Sequence, residues 1–226
     1  MLRLDEKEAC FDQYWREQPG ELVDRRSRER AGYVHELLKM PSGDILDAGC
    51  GHGTVMEFLA GKGLAISGID VSPEAVRTVR QKGFKAEVVD LEDDSPRGKY
   101  DAVLCLEVLQ QLYDPVKVLV KLRSLLRKEG RLIVSLPNEF HFVARLKILL
   151  GRTHLGDFTH SHIRLFSPAR HKALFRAAGL QVKDVRMVPL APPRRPMISR
   201  MSKPLARWWP SLFAISSIYS LVRDDD

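Results

Sequence analysis

Apolar residues along this chain recur with two periods. Short dense runs have the length and content of buried strands: Ile45-Leu46, Leu64–Asp70 (LAISGID), Ala86–Val89, Tyr100–Leu106 (YDAVLCL), Arg131–Leu136 (RLIVSL) and Leu180–Leu190. Between them the spacing is helical, as in Val55, Met56, Phe58 and Leu59, in Ala75, Val76 and Val79, and in Val116, Leu119, Val120, Leu122, Leu125 and Leu126. Ser72-Pro73, Asp114-Pro115 and Ser167-Pro168 each set a capping side chain before a proline suited to the first helical turn. Gly83, Gly130 and Gly179 read as helix stops. Phe142–Leu150 reads as a short amphipathic helix, and Ser211–Arg223 as a strand or a final helix. Residues 1–40 form a charged helical lead-in with an apolar stripe of Leu22, Val23, Tyr33, Val34, Leu37 and Leu38. Strands alternating with helices predict an α/β fold, a mostly parallel sheet flanked by helices on both faces. Right-handed crossovers then set the strands' carboxyl ends along one edge. Residues 41–190 carry that domain, and 191–226 are a basic and aromatic segment completing the sheet.

Composition changes this picture little. At 226 residues the chain holds one sizeable core. A net charge of +7 suits an anionic partner and equally a solvated surface. Three unpatterned cysteines (Cys10, Cys50, Cys105) read as reduced thiols, and MLRLDEKEAC is too charged for a signal peptide. The longest apolar run, Trp208–Val222, is broken by Pro210 and serines and falls short of the roughly 20 residues of a spanning helix. A cytoplasmic protein is the expectation.

The chemistry concentrates in Asp44–Gly53, DILDAGCGHG. A strand ends at an acid, Asp47, and Gly49, Gly51 and Gly53 follow at alternate positions before a helix. Such glycines let the backbone turn with positive φ and come close to a ligand, although a tight turn between core elements needs no ligand at all. What decides is downstream: Asp70 and Asp90 stand at the ends of the next two strands, so three carboxylates share one crevice. An acid at the distance of Asp70 suits a ribose diol. The G-x-G-x-G spacing departs from the dinucleotide G-x-G-x-x-G, and Asp47 would face a diphosphate unfavourably. It suits a ligand bearing an ammonium group and a sulfonium. Asp90 and the backbone of Leu91 would read an adenine.

These motifs resemble the class I S-adenosylmethionine-dependent methyltransferases over about residues 44–190: LDAGCGHG the glycine motif, GIDVS the ribose acid, VVDLED the adenine side, LCLEVLQQLYDP the fourth strand and its loop, GRLIVSLPN the fifth strand and FSPARHKALFRAAGL the helix before the terminal hairpin. The resemblance implies a Rossmann-like three-layer α/β/α fold and S-adenosylmethionine as cofactor. It assigns the cofactor site to Asp47, Ala48, Gly49, Cys50, Gly51, Gly53, Asp70, Val71, Asp90, Leu91, Leu106 and Glu107. LQQLYDPVKVL, IVSLPN and RLKILLGR are similar to MetW-like proteins, which leaves a non-catalytic, cofactor-binding partner of another enzyme as the alternative to an active methyltransferase. Ubiquinone-type O-methyltransferases carry E-x-x-E-H where this chain has Glu107, Gln110 and Gln111, so one carboxylate remains and no metal is expected.

In-line methyl transfer needs a base only when the acceptor must lose a proton. His160 and His162, in the loop after the fifth strand, are the candidates, with Glu107 to orient a hydroxyl or amine. Tyr14 and Trp15 would cover the ligand if the lead-in is a lid; the other reading is a helix packed on the edge of the fold. The absence of an N/D-P-P-Y/F/W motif and of a Pro-Cys pair argues against nucleic acid. A small-molecule or glycan/lipid-linked acceptor remains. Residues 191–213, with Arg194, Arg195, Arg200, Lys203 and Arg207 beside Trp208 and Trp209, suit either an anionic membrane surface or a solvated loop.

Overall fold

The computed structural model describes residues 4–17, 20–152, 163–190 and 204–224. Two helices lead in, α1 (Leu4–Glu17) and α2 (Gly20–Leu38). There follow β1 (Asp44–Ala48), α3 (Thr54–Ala60), β2 (Ala65–Asp70), α4 (Pro73–Gln81), β3 (Lys85–Val88), β4 (Tyr100–Leu106), α5 (Pro115–Ser124) and β5 (Leu126–Pro137). The chain closes with α6 (Phe142–Leu149), α7 (Pro168–Ala177), β6 (Leu180–Pro189), the short helices α8 (residues 204–208) and α9 (Pro210–Phe213), and β7 (Ala214–Arg223). The seven strands form one sheet in the order β3-β2-β1-β4-β5-β7-β6. β1 to β5 pair in parallel, and β7 runs antiparallel to both β5 and β6.

Period-two alternation divides the core between the faces. Leu46, Val103, Cys105, Leu132 and Val134 pack on α5 and α7, with Val118, Leu119, Leu122 and Phe175 beneath them. Ile45, Ala102, Leu104, Ile133 and Ile218 face α2 and α3, against Val34, Leu37, Leu38, Val55 and Leu59. Ala31, Val34, Leu37 and Leu38 are the buried stripe of α2, with Tyr33 partly buried beside it; the side chains of Leu22 and Val23 lie outside the described residues.

Two of the caps behave as the sequence expects, Ser72 Oγ accepting from Ala75 N–H and Asp114 Oδ1 from Lys117 N–H, whereas Ser167 stands before α7 without a side-chain cap bond. Two further expectations need correcting. Gly130 does not stop a helix. α5 ends at Ser124 and β5 already begins at Leu126, so Leu126 and Gly130 belong to the strand, where the pairing register slips between Tyr100↔Leu126 and Ala102↔Arg131. The third strand also ends earlier, at Val88, so Asp90 sits two residues beyond it in a turn. The final segment, open between strand and helix in the sequence, is a strand, because it fills the place between β5 and β6 and buries Ile218, Tyr219 and Leu221.

Candidate active site

Strand order reverses between β1 and β4, the position where open parallel sheets leave a crevice at their carboxyl ends. After β1 the backbone turns sharply: Gly49 and Cys50 N–H both donate to Ile69 O, and Gly53 N–H to Cys50 O. Gly49 (φ +88°) and Gly51 (φ +50°) are left-handed, and a Cβ on either would meet a side chain at 2.3 Å, Val108 Cγ2 for Gly49 and the Trp15 ring for Gly51. The turn needs glycine both for its dihedral angles and for what presses against it.

Asp70, buried at the end of β2, accepts from Gly51 N–H through Oδ2 (2.9 Å) and from Ser72 N–H through Oδ1 (3.0 Å). Burial raises its pKa and these backbone donors pull the other way. It therefore ties the glycine turn to the start of α4. Val71 stands half-exposed beside it. Asp47 is 2 % exposed, and its Oδ1 has no hydrogen-bond partner. Burial first, then the charge of Asp70, pushes its carboxyl up to about 8, against the attraction of Arg30. A buried carboxylate oxygen without a donor fits a cationic ligand group, such as the ammonium of S-adenosylmethionine.

Leu91 and Leu106 bury their side chains in the core, so only their backbones face the crevice, and Ala48 and Cys50 are buried with them. Burial pushes the thiols of Cys50 and Cys105 up, which leaves both unreactive.

Asp90 departs from the sequence expectation in its surroundings. Its Oδ2 accepts from Lys7 Nζ of α1 at 2.7 Å, and its Oδ1 from Glu92 N–H at 2.9 Å. Lys7 is itself 6 % exposed and also lies 3.4 Å from Glu92 and 3.5 Å from Asp93. Burial lowers the Lys7 pKa, but the bond to Asp90 and the surrounding carboxylates outweigh it and raise the value. Farther along α1, Asp12 accepts from Ser72 Oγ and from Glu74 N–H, and the Trp15 ring lies 4.7 Å from that of His52. α1 thus crosses the mouth of the crevice from the Asp90 end to the glycine turn.

The other side is built around Glu107, the residue after β4. Its backbone is left-handed (φ +58°), which an L side chain adopts at a cost. Its N–H donates to Ser135 Oγ (2.9 Å), whose hydroxyl donates back to Glu107 Oε1 (2.8 Å). Ser216 Oγ of β7 donates to the same oxygen (3.0 Å), and Arg30 Nη2 of α2 stands 3.5 Å away. Tyr14 lies close enough to feel both charges: burial raises its pKa, Arg30 lowers it and Glu107 raises it. Gln110 Nε2 turns back on Glu107 O (2.8 Å). Arg30, Ser135, Ser216 and Lys7 were not singled out as site residues. The signals were a serine inside the apolar run IVSL, serines in the final strand and an arginine beside the buried stripe of α2. His154, His160 and His162 lie outside the described residues, but Ile163 and Arg164 N–H both donate to Gln110 O at 3.0 Å. Among the described residues no group of three His, Cys, Asp or Glu gathers to hold a metal ion.

Comparison with known proteins agrees with this fold. Residues 14–185 match the family model described as a methyltransferase domain. The ubiquinone biosynthesis O-methyltransferase of Xanthomonas euvesicatoria pv. vesicatoria (strain 85-10) is 30 % identical over 196 residues, covering 80 % of this chain and 81 % of that one. Among solved structures, the Burkholderia thailandensis 1,6-didemethyltoxoflavin-N1-methyltransferase, with its substrate and S-adenosylhomocysteine bound, matches with a TM-score of 0.67 at 18 % identity, over 100 % of this chain and 92 % of that one. Magnesium protoporphyrin IX methyltransferase of Synechocystis PCC 6803 with bound S-adenosylhomocysteine matches at 0.63 and 20 %, over 99 % and 89 %. The chain belongs to the class I S-adenosylmethionine-dependent methyltransferase family. It is a methyltransferase with S-adenosylmethionine as cofactor. The curated relatives favour the enzyme over a non-catalytic partner. No helix among the described residues is long and apolar enough to cross a membrane.

Proposed function

We propose that the chain methylates a hydroxyl group of a small-molecule or glycan/lipid-linked acceptor. Glu107 orients that hydroxyl, and His162 or His160 receives its proton. The observation that carries this reading is the Glu107 cluster, a strained carboxylate fixed by two serine hydroxyls and an arginine at the end of β4. Such rigidity suits a group that must point one way. The name of the O-methyltransferase relative supports oxygen as the acceptor atom. The anchoring of Ile163 on Gln110, three residues beyond Glu107, supports an imidazole at 162 as the base.

When bound, S-adenosylmethionine supplies a methyl group on a sulfonium centre. Asp47 pairs with its ammonium, Asp70 with its ribose hydroxyls, and Asp90 with the Leu91 backbone takes the adenine edge. Glu107 would hold the acceptor oxygen in line with that methyl group, and the imidazole of His162 or His160 would take up the acceptor's proton. α1 acts as the cover, with Tyr14 over the Glu107 side and Trp15 over the glycine turn. Since Lys7 already holds Asp90, the adenine amine and Lys7 compete for one carboxylate, and α1 shifts as the cofactor enters.

The test is transfer from S-adenosylmethionine to a panel of phenolic and aliphatic hydroxyl acceptors. Glu107→Gln should lower kcat by about a hundredfold while S-adenosylhomocysteine still binds. Turnover at the parental rate in Glu107→Gln would overturn the assignment. His162→Gln should remove the limb of the kcat profile that rises with pH near neutrality.

A further inference from the structure

Among the described residues, a large exposed apolar surface lies on α6 and the α8–α9 corner. In α6 only Ala144 is buried; Phe142, Val143, Leu146 and Ile148 are exposed, Leu149 is 81 % exposed and Leu150, just after the helix, 64 %. Trp208 at the end of α8 is 79 % exposed and Trp209 51 %. The pieces belong together. Asn138, where β5 leads towards α6, donates through Nδ2 to Pro210, Ser211 and Ala214 O, and a cavity of about 340 Å³ runs between Phe140, Arg145, Ser167, Pro168, Ala169 and Ser211. A soluble domain rarely leaves a helix so apolar uncovered.

Cations predominate in the described segments that form this face, with the half-buried Glu139 just before them. Residues 140–152, 163–172 and 204–213 carry Arg145, Lys147, Arg152, Arg164, Arg170, Lys172 and Arg207, all exposed, and no aspartate or glutamate. Elsewhere the surface mixes signs, as in the Arg77–Glu74 and Arg127–Asp44 pairs. Exposed leucines and paired tryptophans in segments rich in exposed cations complement a layer that is apolar inside and anionic at its surface.

We propose that α6 with the α8–α9 corner docks the enzyme on an anionic lipid bilayer. The sequence suggested residues 191–213 for such a contact. Of these, 191–203 lie outside the described residues, and the structure shifts the weight to α6 and 204–213. β5 carries Ser135, the partner of Glu107, and α6 follows it after the turn at residues 138–141, so docking brings the acceptor side of the crevice to the membrane surface. This last step rests on the proposed acceptor reading; the docking does not.

The test is co-sedimentation of the full chain with vesicles of phosphatidylcholine alone or with about a third phosphatidylglycerol, with S-adenosylhomocysteine binding followed in parallel by calorimetry. The chain should pellet with the anionic vesicles at low salt and be released at high salt. Lys147→Gln/Arg207→Gln should weaken partitioning about twenty-five-fold, from roughly fivefold per removed cation. Leu149→Glu should abolish it, with cofactor binding unchanged in both variants. Equal recovery on both vesicle types, no recovery on either, or a salt-insensitive dimer that Leu149→Glu dissolves while vesicles stay unbound would each overturn the proposal. Docking without methyl transfer to any hydroxyl would sink the acceptor reading and leave the surface standing.

Discussion

Asp47 shows how far one side chain commits the site. Its carboxyl is raised to about 8, chiefly by burial. A carboxyl whose folded pKa is raised contributes stability below its ordinary value of 3.8, and loses it as pH rises through the folded pKa. The free protein should therefore melt at progressively lower temperature between pH 5 and 8. An ammonium beside the carboxylate favours the ionised form, so S-adenosylhomocysteine should shrink that decline, and Asp47→Asn should flatten it. Melting curves of the three samples across this range check the idea; a decline of equal size in the variant would refute it. Gly51 makes a second residue-scale case. Gly51→Val would strain a left-handed backbone by about 1–2 kcal/mol and drive its side chain into Trp15. S-adenosylhomocysteine affinity should fall by more than about tenfold, each factor of ten being about 1.4 kcal/mol. The double variant Gly51→Val/Trp15→Ala separates the causes: recovery of binding would show that the clash with Trp15, not lost room for the ligand, was responsible.

Among the elements, α1 is the one whose position bears most on the cofactor. It holds the crevice through Lys7 at Asp90, Asp12 at Ser72 and Trp15 at the glycine turn. Lys7→Met removes the ammonium that competes for Asp90. Isothermal calorimetry should then show S-adenosylhomocysteine binding several-fold more tightly, while the free protein melts lower because Asp90 and Glu92 stay buried without their cation. Weaker binding in this variant would mean that Lys7 belongs to the bound state and that α1 does not compete. Sequence reading reached α1 as part of a charged lead-in, either a lid with Tyr14 and Trp15 as covers or a helix on the edge of the fold, and did not single out Lys7. The cause is physical: which carboxylate Lys7 meets is decided by a contact spanning more than eighty positions, and no local period encodes it. The glycine turn and the acids on β1 and β2 were legible because strand, turn and helix are neighbours in sequence. Glu107 was legible as a position through the resemblance. Its partners were not, since Ser135, Ser216 and Arg30 come from three distant elements.

For the whole molecule, the alternation of apolar and polar residues was enough to predict a parallel sheet covered on both faces, because each face must bury its own set of side chains. What alternation did not reveal was the place of the last strand. β7 carries Ser216, Ser217 and Ser220 among apolar neighbours, a pattern equally open to a helix, and only its fit between β5 and β6 decides. The basic composition took on meaning in the same way. A net +7 spread evenly would only keep the chain soluble, whereas the cations of α6 and α8 would orient the molecule if the proposed docking holds.

That late strand has a consequence for how the enzyme comes into being. Asp47, Asp70 and Asp90 can all be in place once β1 to β5 have emerged from the ribosome, that is by Pro137, since β1 to β4 pair only with one another and with β5. Glu107 waits: one of its two hydroxyl holders, Ser216, is made almost eighty residues later and reaches it only when β7 slides in beside β5. On the proposed assignment, the donor half of the site can mature while synthesis continues, and the acceptor half closes with the arrival of the final strand. A nascent chain of this protein would gain the means to hold its cofactor before it gains the means to use it.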